Sequence, residues 1–461
     1  MMKKFIGDKA FYRTVLTIAI PVMIQNGVTN LVNFLDNIMV GQIGTEQMSG
    51  VAIVNQLIFV FNLCIFGIVS GASIFGTQYY GKRDFVGMRN AFRFKIIAGI
   101  IAALIGSLLL FTMQVPLISL FLHSDGTDSN LTLALQSGQA FLVIMLIGLV
   151  PFSISQAYAS TLREMGRTII PMFASSVAVV TNTILNYILI FGNFGAPQLG
   201  VQGAAISTVV ARIIECAITV IWVHRHNMDN PFIVGAYKQF HIPKQLVQQI
   251  IKKGSPLMLN EVLWACGITI VLQAYSVRGL SVVAGMNIAS TVSNIFNIIF
   301  LALGSAAAVI VGQLLGANKM VEAKDSARKL IFFSVVSCTI MGIIMMIIAP
   351  HFPEIYNTSL EVKDLASHFI IIGALCMPFI AFNHVSYFVL RSGGKTIITF
   401  LFDSVFIWVI VLPLAYLLST HTNLPIVWVY FICQMTEAFK CIIGYFLVKS
   451  DAWLENIVVE A

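Results

Sequence analysis

The chain has 461 residues, 58% of them hydrophobic and only 10% charged, with 27 lysines and arginines against 20 acids. Soluble domains run nearer ~45–50% apolar and ~25% charged, so a soluble enzyme or nucleic-acid-binding domain is excluded and a membrane protein is the class that fits. The formal net charge of +7 lies in short loops between apolar runs, where it sets membrane orientation instead of binding nucleic acid.

The first apolar stretch follows Met-Met-Lys-Lys. It is too long and too polar for a signal peptide, and no small-residue cleavage site follows, so it is expected to stay attached. A spanning helix needs about 20 apolar residues. That length predicts spans over 14–39, 51–74, 94–116, 134–158, 168–191, 202–223, 255–276, 285–312, 329–350, 366–389, 397–419 and 424–447. The fold expected is all-α integral membrane, with twelve transmembrane helices in two pseudo-symmetric six-helix bundles. The bundles are 1–223 and 254–461, and the longest polar link, 224–253, joins them as a cytoplasmic linker. Pro21, Pro151, Pro171, Pro256, Pro378 and Pro413 fall in or at the ends of spans, where packed neighbours can satisfy the freed backbone groups. The cysteines are scattered through apolar segments without a CxxC or Cys/His cluster, and read as small reduced hydrophobes. Lysine and arginine concentrate at the termini and in loops after even-numbered spans, while Arg278 and Lys363 fall in loops on the other side. Both termini are therefore expected in the cytoplasm.

In the first span Gln25, Thr29, Asn33 and Asp36 fall within an arc of about 80° on a helix, with Asn26, Asn30 and Asn37 beside it. A polar stripe that wide lines a cavity or packs on other polar helices. An intramembrane carboxylate is usually functional, and the alternative for Asp36 is a structural hydrogen bond at the outer membrane edge. Asn182 and Asn186, one turn apart in the fifth span, share a face. With Thr208 from the sixth and one carboxylate they would make a Na⁺ shell, or the amides serve as interhelical glue. In the sixth span Arg212 and Glu215 form an i, i+3 pair, as Glu437 and Lys440 do in the twelfth. Both read as structural or gating pairs that keep charge tolerable in a membrane helix, and so does Asp403, early in span eleven. In the seventh span Glu261, Ala265, Thr269 and Ser276 make a small or polar stripe flanked by Asn260 and Trp264. It suits a cavity wall, unless Glu261 is solvated near the headgroups. Trp264 would stack on a flat cation or anchor the span at the membrane surface. Asn383 joins the expected cargo cavity beside His384, the histidine plainly within a span, so convergent enzyme chemistry is not expected.

The two sets of six are related. "VSGASIFGTQYYGKRD" (69–84) aligns with "GSAAAVIVGQLLGANK" (304–319), matching Ser70 to Ser305, Ala72 to Ala307, Gln78 to Gln313 and Gly81 to Gly316. Arg93 then meets Arg328, Pro21 meets Pro256, and "LREMGRT" (162–168) matches "LRSGGKT" (390–396). With six spans each, the halves enter from the same side, a parallel repeat typical of transporters.

Taken with "IPVMIQNGVTNLVNFLDNIMVGQIG", "GSPLMLNEVLW", "TNTILNYILIFG", "GVQGAAIST" and the paired LR-x-x-G-[RK]-T loops, the sequence resembles the multidrug and toxic compound extrusion (MATE) transporters over nearly its whole length. The resemblance implies a secondary active multidrug exporter, an antiporter of amphipathic, often cationic compounds driven by Na⁺ or H⁺. No other cofactor is expected, and a monomer in the lipid bilayer of the plasma membrane is the assembly expected. It implies that Asp36 takes part in cation coupling and that Glu261 is the carboxylate of the second half. Some members carry Asp where this chain has Asn186, which removes a charge. The cation set implied is Asp36, Asn182, Asn186, Thr208 and Glu261, with Na⁺ at Asp36, Asn182 and Asn186. The cargo set is Gln25, Thr29, Asn33, Asn260, Trp264, Thr269 and Asn383. Asp36 and Glu261 are expected to look into a shared chamber. A lipid or lipid-linked oligosaccharide flippase of the same superfamily is the alternative, although few basic residues lie inside the spans. The loop expected of a major-facilitator protein after span two is replaced by "GKRDFVGMRNAFR".

Overall fold

The structure, a computed structural model, describes residues 5–121 and 128–458, without the side chains of Asn33, Phe34, Asn37, Asp128 and Ser129. The first half of the chain forms α1 (Lys9–Gly41), α2 (Thr45–Lys82), α3 (Phe85–Thr112), α4 (Gln114–Ser119), α5 (Asp128–Ile147), α6 (Leu149–Glu164), α7 (Ile169–Phe191) and α8 (Val201–Arg225). The second half forms α9 (Lys244–Ser276), α10 (Leu280–Gly316), α11 (Met320–Ile348), α12 (Leu360–Ser392), α13 (Thr396–Phe400), α14 (Leu412–His421) and α15 (Ile426–Lys449). Among the described residues twelve helices are long and apolar enough to cross a membrane. The chain is a multi-pass membrane protein.

The repeat is written into the backbone. Gly44 and Gly279 have φ of 155° and 120°, Arg83 and Asn318 have φ of 61° and 59°, and Gly166 and Gly394 have φ of 76° and 74°. Each pair occupies corresponding positions in the alignment of the halves. Left-handed backbone is costly for arginine and uncommon for non-glycine residues generally, so its recurrence at equivalent turns marks one turn geometry used in both halves.

Two elements depart from the uninterrupted spans expected. The fourth span breaks at Gly148 between α5 and α6. The eleventh consists of α13, π-helical turns over Leu401–Val405 and Ile407–Val411, and α14. Pro413 has no N–H, so the carbonyl one turn earlier loses its helical donor and the backbone widens ahead of it.

The chain divides into two compact units that do not follow chain order. One gathers Ile24–Gly76 and Asp84–Ile250; the other gathers Met1–Met23, Thr77–Arg83 and Ile251–Ala461. In the first, α7 lies along α8, which packs on α5 and α6, and α3 packs on α6. Its core holds Val54, Ile65, Leu142, Leu149 and Ala205. In the second, α10 lies along α12, which also packs on α11 and α15. One of its cores joins Val15 and Ala19 of α1 to Ala306, Leu330, Val389 and Trp453. The change of unit along α1 follows Pro21, a buried proline inside that helix.

Both polar segments after the last span of each half are folded against the bundle. After α8, Phe232 is buried and meets Phe92, which meets Tyr158. Arg93 donates to the carbonyls of Ala236 at 2.7 Å and Gly235 at 2.8 Å. After α15, Trp453 is fully buried and donates to the Val448 carbonyl at 2.9 Å. The Gln78 side chain accepts from the Ile457 amide at 2.9 Å and donates to the Ser392 carbonyl at 2.8 Å.

Candidate functional site

In the first unit, the stripe on α1 brings Asp36 to the facing turns of α7 and α8. Asn186 Nδ2 donates to Asp36 Oδ1 at 2.6 Å. The Asn182 amide occupies the other side of the carboxylate. With its nitrogen inward it donates to Asp36 Oδ1 at 2.9 Å and Oδ2 at 3.1 Å, and its oxygen accepts from Thr208 Oγ1 at 3.2 Å. With the amide turned over, its nitrogen donates to Thr208 Oγ1 at 3.2 Å and its oxygen accepts from Asn186 Nδ2 at 3.3 Å while facing the carboxylate, a place where a proton or cation could be shared. Asn182 and Asn186 are buried, and Asn186 Oδ1 has no hydrogen-bond partner among the described residues. A buried acceptor without a donor is costly. Here it lies beside a half-buried carboxylate, an oxygen-rich setting that fits a proton or a hard cation.

The sequence spacing that put Asn182 and Asn186 on one face thus also aims both at Asp36. Thr208, also part of the implied set, reaches Asn182. Gln25 and Thr29 lie on the same helix, half-buried, with Thr29 Oγ1 donating to the Gln25 carbonyl at 2.9 Å. The side chain of Asn33 lies outside the described residues. Arg212 packs its guanidinium over Phe152 at 4.9 Å, and Glu215 is a charged neighbour of both Arg212 and Arg163.

Glu261 belongs to the second unit, where its charged neighbours are Arg391 and Asp403. Asn260, beside it, is buried and donates to Asp403 Oδ2 at 3.2 Å. Asn383 donates to Glu437 Oε2 at 2.7 Å. Glu437 remains a charged neighbour of Lys440, but the hydrogen bond of the Lys440 ammonium reaches further, to Asp403 Oδ1 at 2.9 Å. Trp264 and Thr269 are exposed, and Thr269 Oγ1 bonds the carbonyl of its own preceding turn, Ala265.

One buried pair escaped the sequence reading. Lys95 of α3 is fully buried, pairs with Glu164 of α6 and donates to Thr161 Oγ1 at 3.1 Å. The signal available was a lysine opening the apolar run "KIIAGIIAALIG", but its carboxylate partner is far away in sequence and only packing joins them.

The model of the MatE family matches residues 21–188 and 256–417, one copy on each half of the chain. The chain belongs to the MatE family. It is 22% identical over 460 residues to the probable multidrug resistance protein NorM of Thermotoga maritima, covering 97% of this chain and 94% of that one. It is 25% identical to the multidrug resistance protein MdtK of Yersinia pseudotuberculosis, covering 99% and 97%. The crystal structure of a mutant of the MATE transporter VcmN of Vibrio cholerae has the same fold. Its TM-score is 0.87 at 16% identity, covering 97% of this chain and 98% of that one. The two family matches fall on the two halves that the repeated turns relate. This is a MATE multidrug efflux family protein.

Proposed function

We propose that this MATE protein is a secondary active exporter of amphipathic, often cationic organic compounds, driven by inward movement of Na⁺ or H⁺ and working by alternating access. It would sit in the plasma membrane with both termini in the cytoplasm. The observation that carries the reading is the convergence of Asn186 and Asn182 on Asp36, with Thr208 behind. The Asn182 amide supplies the coupling device. Nitrogen inward, it satisfies the bare carboxylate; turned over, its oxygen joins the carboxylate and the orphan Asn186 Oδ1 as ligands for the incoming cation or proton. Loading and emptying the site then exchange one hydrogen-bond pattern for another across α1, α7 and α8. Differential contacts of this kind let a bound ion shift a conformational equilibrium. Glu261, in the other unit, is assigned as the second half's carboxylate for cargo cations or protons, with Asn260 and Trp264, whose indole would stack on a flat cation, in the cargo set.

The test is direct. Purified protein is reconstituted in vesicles loaded with a fluorescent cationic dye, and Na⁺ and H⁺ gradients are imposed separately. Dye movement that follows one gradient and is lost in Asp36→Asn is the expected result. Movement indifferent to both gradients overturns the coupling.

A further inference from the structure

We propose that Lys440 is a tethered cation. Its ammonium fills a cage formed by Asp403, Phe402 and Phe406 that is shaped for an organic ammonium ion, and a ligand bearing that group competes with Lys440 for it. The proposal extends the exporter reading to the second unit and assigns Lys440 a role in deciding which cations are bound there.

The cage is made by the irregular span. The π-helical turns of Leu401–Val405 and Ile407–Val411 frame Phe402, Asp403 and Phe406 around one point, and π-bulges recur at functional sites. The Lys440 ammonium sits there, 2.9 Å from Asp403 Oδ1, 5.1 Å from the centre of the Phe402 ring and 5.7 Å from that of Phe406. One turn along α15, Gly444 has no side chain; a β-carbon there would lie 3.1 Å from the tip of the Phe402 ring. The glycine lets that ring lie close against the helix that carries the lysine.

Three features distinguish the arrangement from an inert ion pair. Asp403 does not depend on Lys440 for its position: Asn260 Nδ2 holds its other oxygen, and Asn260 Oδ1 in turn accepts from Ser404 Oγ at 2.7 Å. The carboxylate therefore remains oriented when the lysine withdraws. The two partners are unequally covered, the Lys440 side chain being 6% exposed and that of Asp403 23%, so an outside cation can approach the acid. Lysine is also a point charge on a flexible stem, able to swing away without breaking the cage, and Glu437 on the same helix is a charged neighbour that helps to hold it.

The wall chemistry chooses the competitor. Two aromatic faces and one carboxylate favour a weakly hydrated organic ammonium, as in aromatic cages for quaternary ammonium groups. A hard inorganic cation needs a shell of oxygens, which the rings do not supply.

Choline is the probe, with its uncharged isostere dimethylbutanol as control, and the full-length protein in detergent is used throughout. Lys440→Met removes the tethered charge, so choline binding measured by calorimetry should tighten by about tenfold, the worth of roughly one relieved cation contact. The control should be unaffected, and adding Asp403→Asn should cancel the gain. In the unaltered protein, choline should raise acylation of Lys440 by a water-soluble amine-reactive ester severalfold, read by mass spectrometry, while dimethylbutanol should not. A folded Lys440→Met protein that binds choline no more tightly overturns the proposal, as does acylation that choline leaves unchanged. If Lys440→Met does not fold, the acylation result decides. Neither readout, equilibrium binding by calorimetry or the extent of covalent labelling, needs a gradient. Choline displacement without gradient-driven dye movement defeats the exporter reading alone, and the reverse defeats the tethered cation alone.

Discussion

Gly81, in the last turn of α2, packs so closely on Gln313 of α10 that a β-carbon there would lie 2.0 Å from the Gln313 carbonyl oxygen. The relationship is reciprocal: a β-carbon on Gly316 would lie 1.9 Å from the carbonyl oxygen of Gln78. Gln78 corresponds to Gln313 in the repeat, and Gly81 to Gly316. Two equivalent helix ends therefore cross through the same pair of residue types, each glycine admitting the other's backbone. Small residues serve membrane helices in this way because van der Waals contact, rather than the hydrophobic effect, drives their association in lipid.

Gly81→Ala and Gly316→Ala should each lower the thermal midpoint of the purified protein. The atom in the way is a backbone carbonyl, which cannot swing aside as a side chain can, and overpacking of this kind costs about 1–3 kcal/mol. The double substitution should cost less than the sum, since both changes wedge one crossing. Melting in detergent by intrinsic fluorescence checks both statements, and unchanged midpoints would refute the close crossing.

Asp36→Asn should abolish ion-driven dye movement in vesicles while leaving the melting midpoint within a few degrees, because the amide can keep one of the hydrogen bonds. Thr208→Val should act more mildly. It removes the hydroxyl that holds Asn182 at 3.2 Å, and loss of one such bond, about 1 kcal/mol, raises the half-saturating ion concentration several-fold. A Thr208→Val protein with wild-type ion dependence would place Thr208 outside the site.

Lys95→Met should be destabilising, by up to about 3–5 kcal/mol, because it removes the ammonium paired with the buried Glu164 carboxylate, which the Ser73 hydrogen bond and the charge of Arg163 replace only in part. Pairing it with Glu164→Gln should recover much of the loss, as a neutral amide costs less to bury without the ammonium than a charge does, and its oxygen can keep the Ser73 hydrogen bond. Expression level and melting midpoint of the two variants give the comparison. A double variant no better than the single would mean that the pair is not mutually compensating.

Trp453→Ala should also destabilise, by about 3–5 kcal/mol for a large buried aromatic, although the residue follows the last transmembrane helix. Its indole lies in the core with Leu330 and Val389, and its backbone carbonyl would be 1.7 Å from a β-carbon on Gly393. If the segment were only a solvated tail, the substitution would leave the midpoint where it was.

Charge scarcity made the membrane class legible, apolar run length the number of spans, and matched motifs the repeat. The spacing of Asn182 and Asn186 put them on one face because a helix fixes that from local geometry alone. The pairings were less accessible. Lys440 bonds Asp403 across elements where the local rule favoured Glu437, and Lys95 finds Glu164 between separate helices. Polarity made 224–253 read as a linker, whereas Phe232 is buried against Phe92 and Ala236 is buried where Arg93 holds its carbonyl.

What the sequence by itself determined is what depends on near neighbours along the chain: helix length, the stripe bearing Asp36, and the turns used twice. What only the tertiary structure decided is which side chains from distant segments meet, since a carboxylate in a low-dielectric interior takes the donor that packing brings within reach. That is why Asn186 faces Asp36, Lys440 faces Asp403, and Gly81 faces the backbone of Gln313.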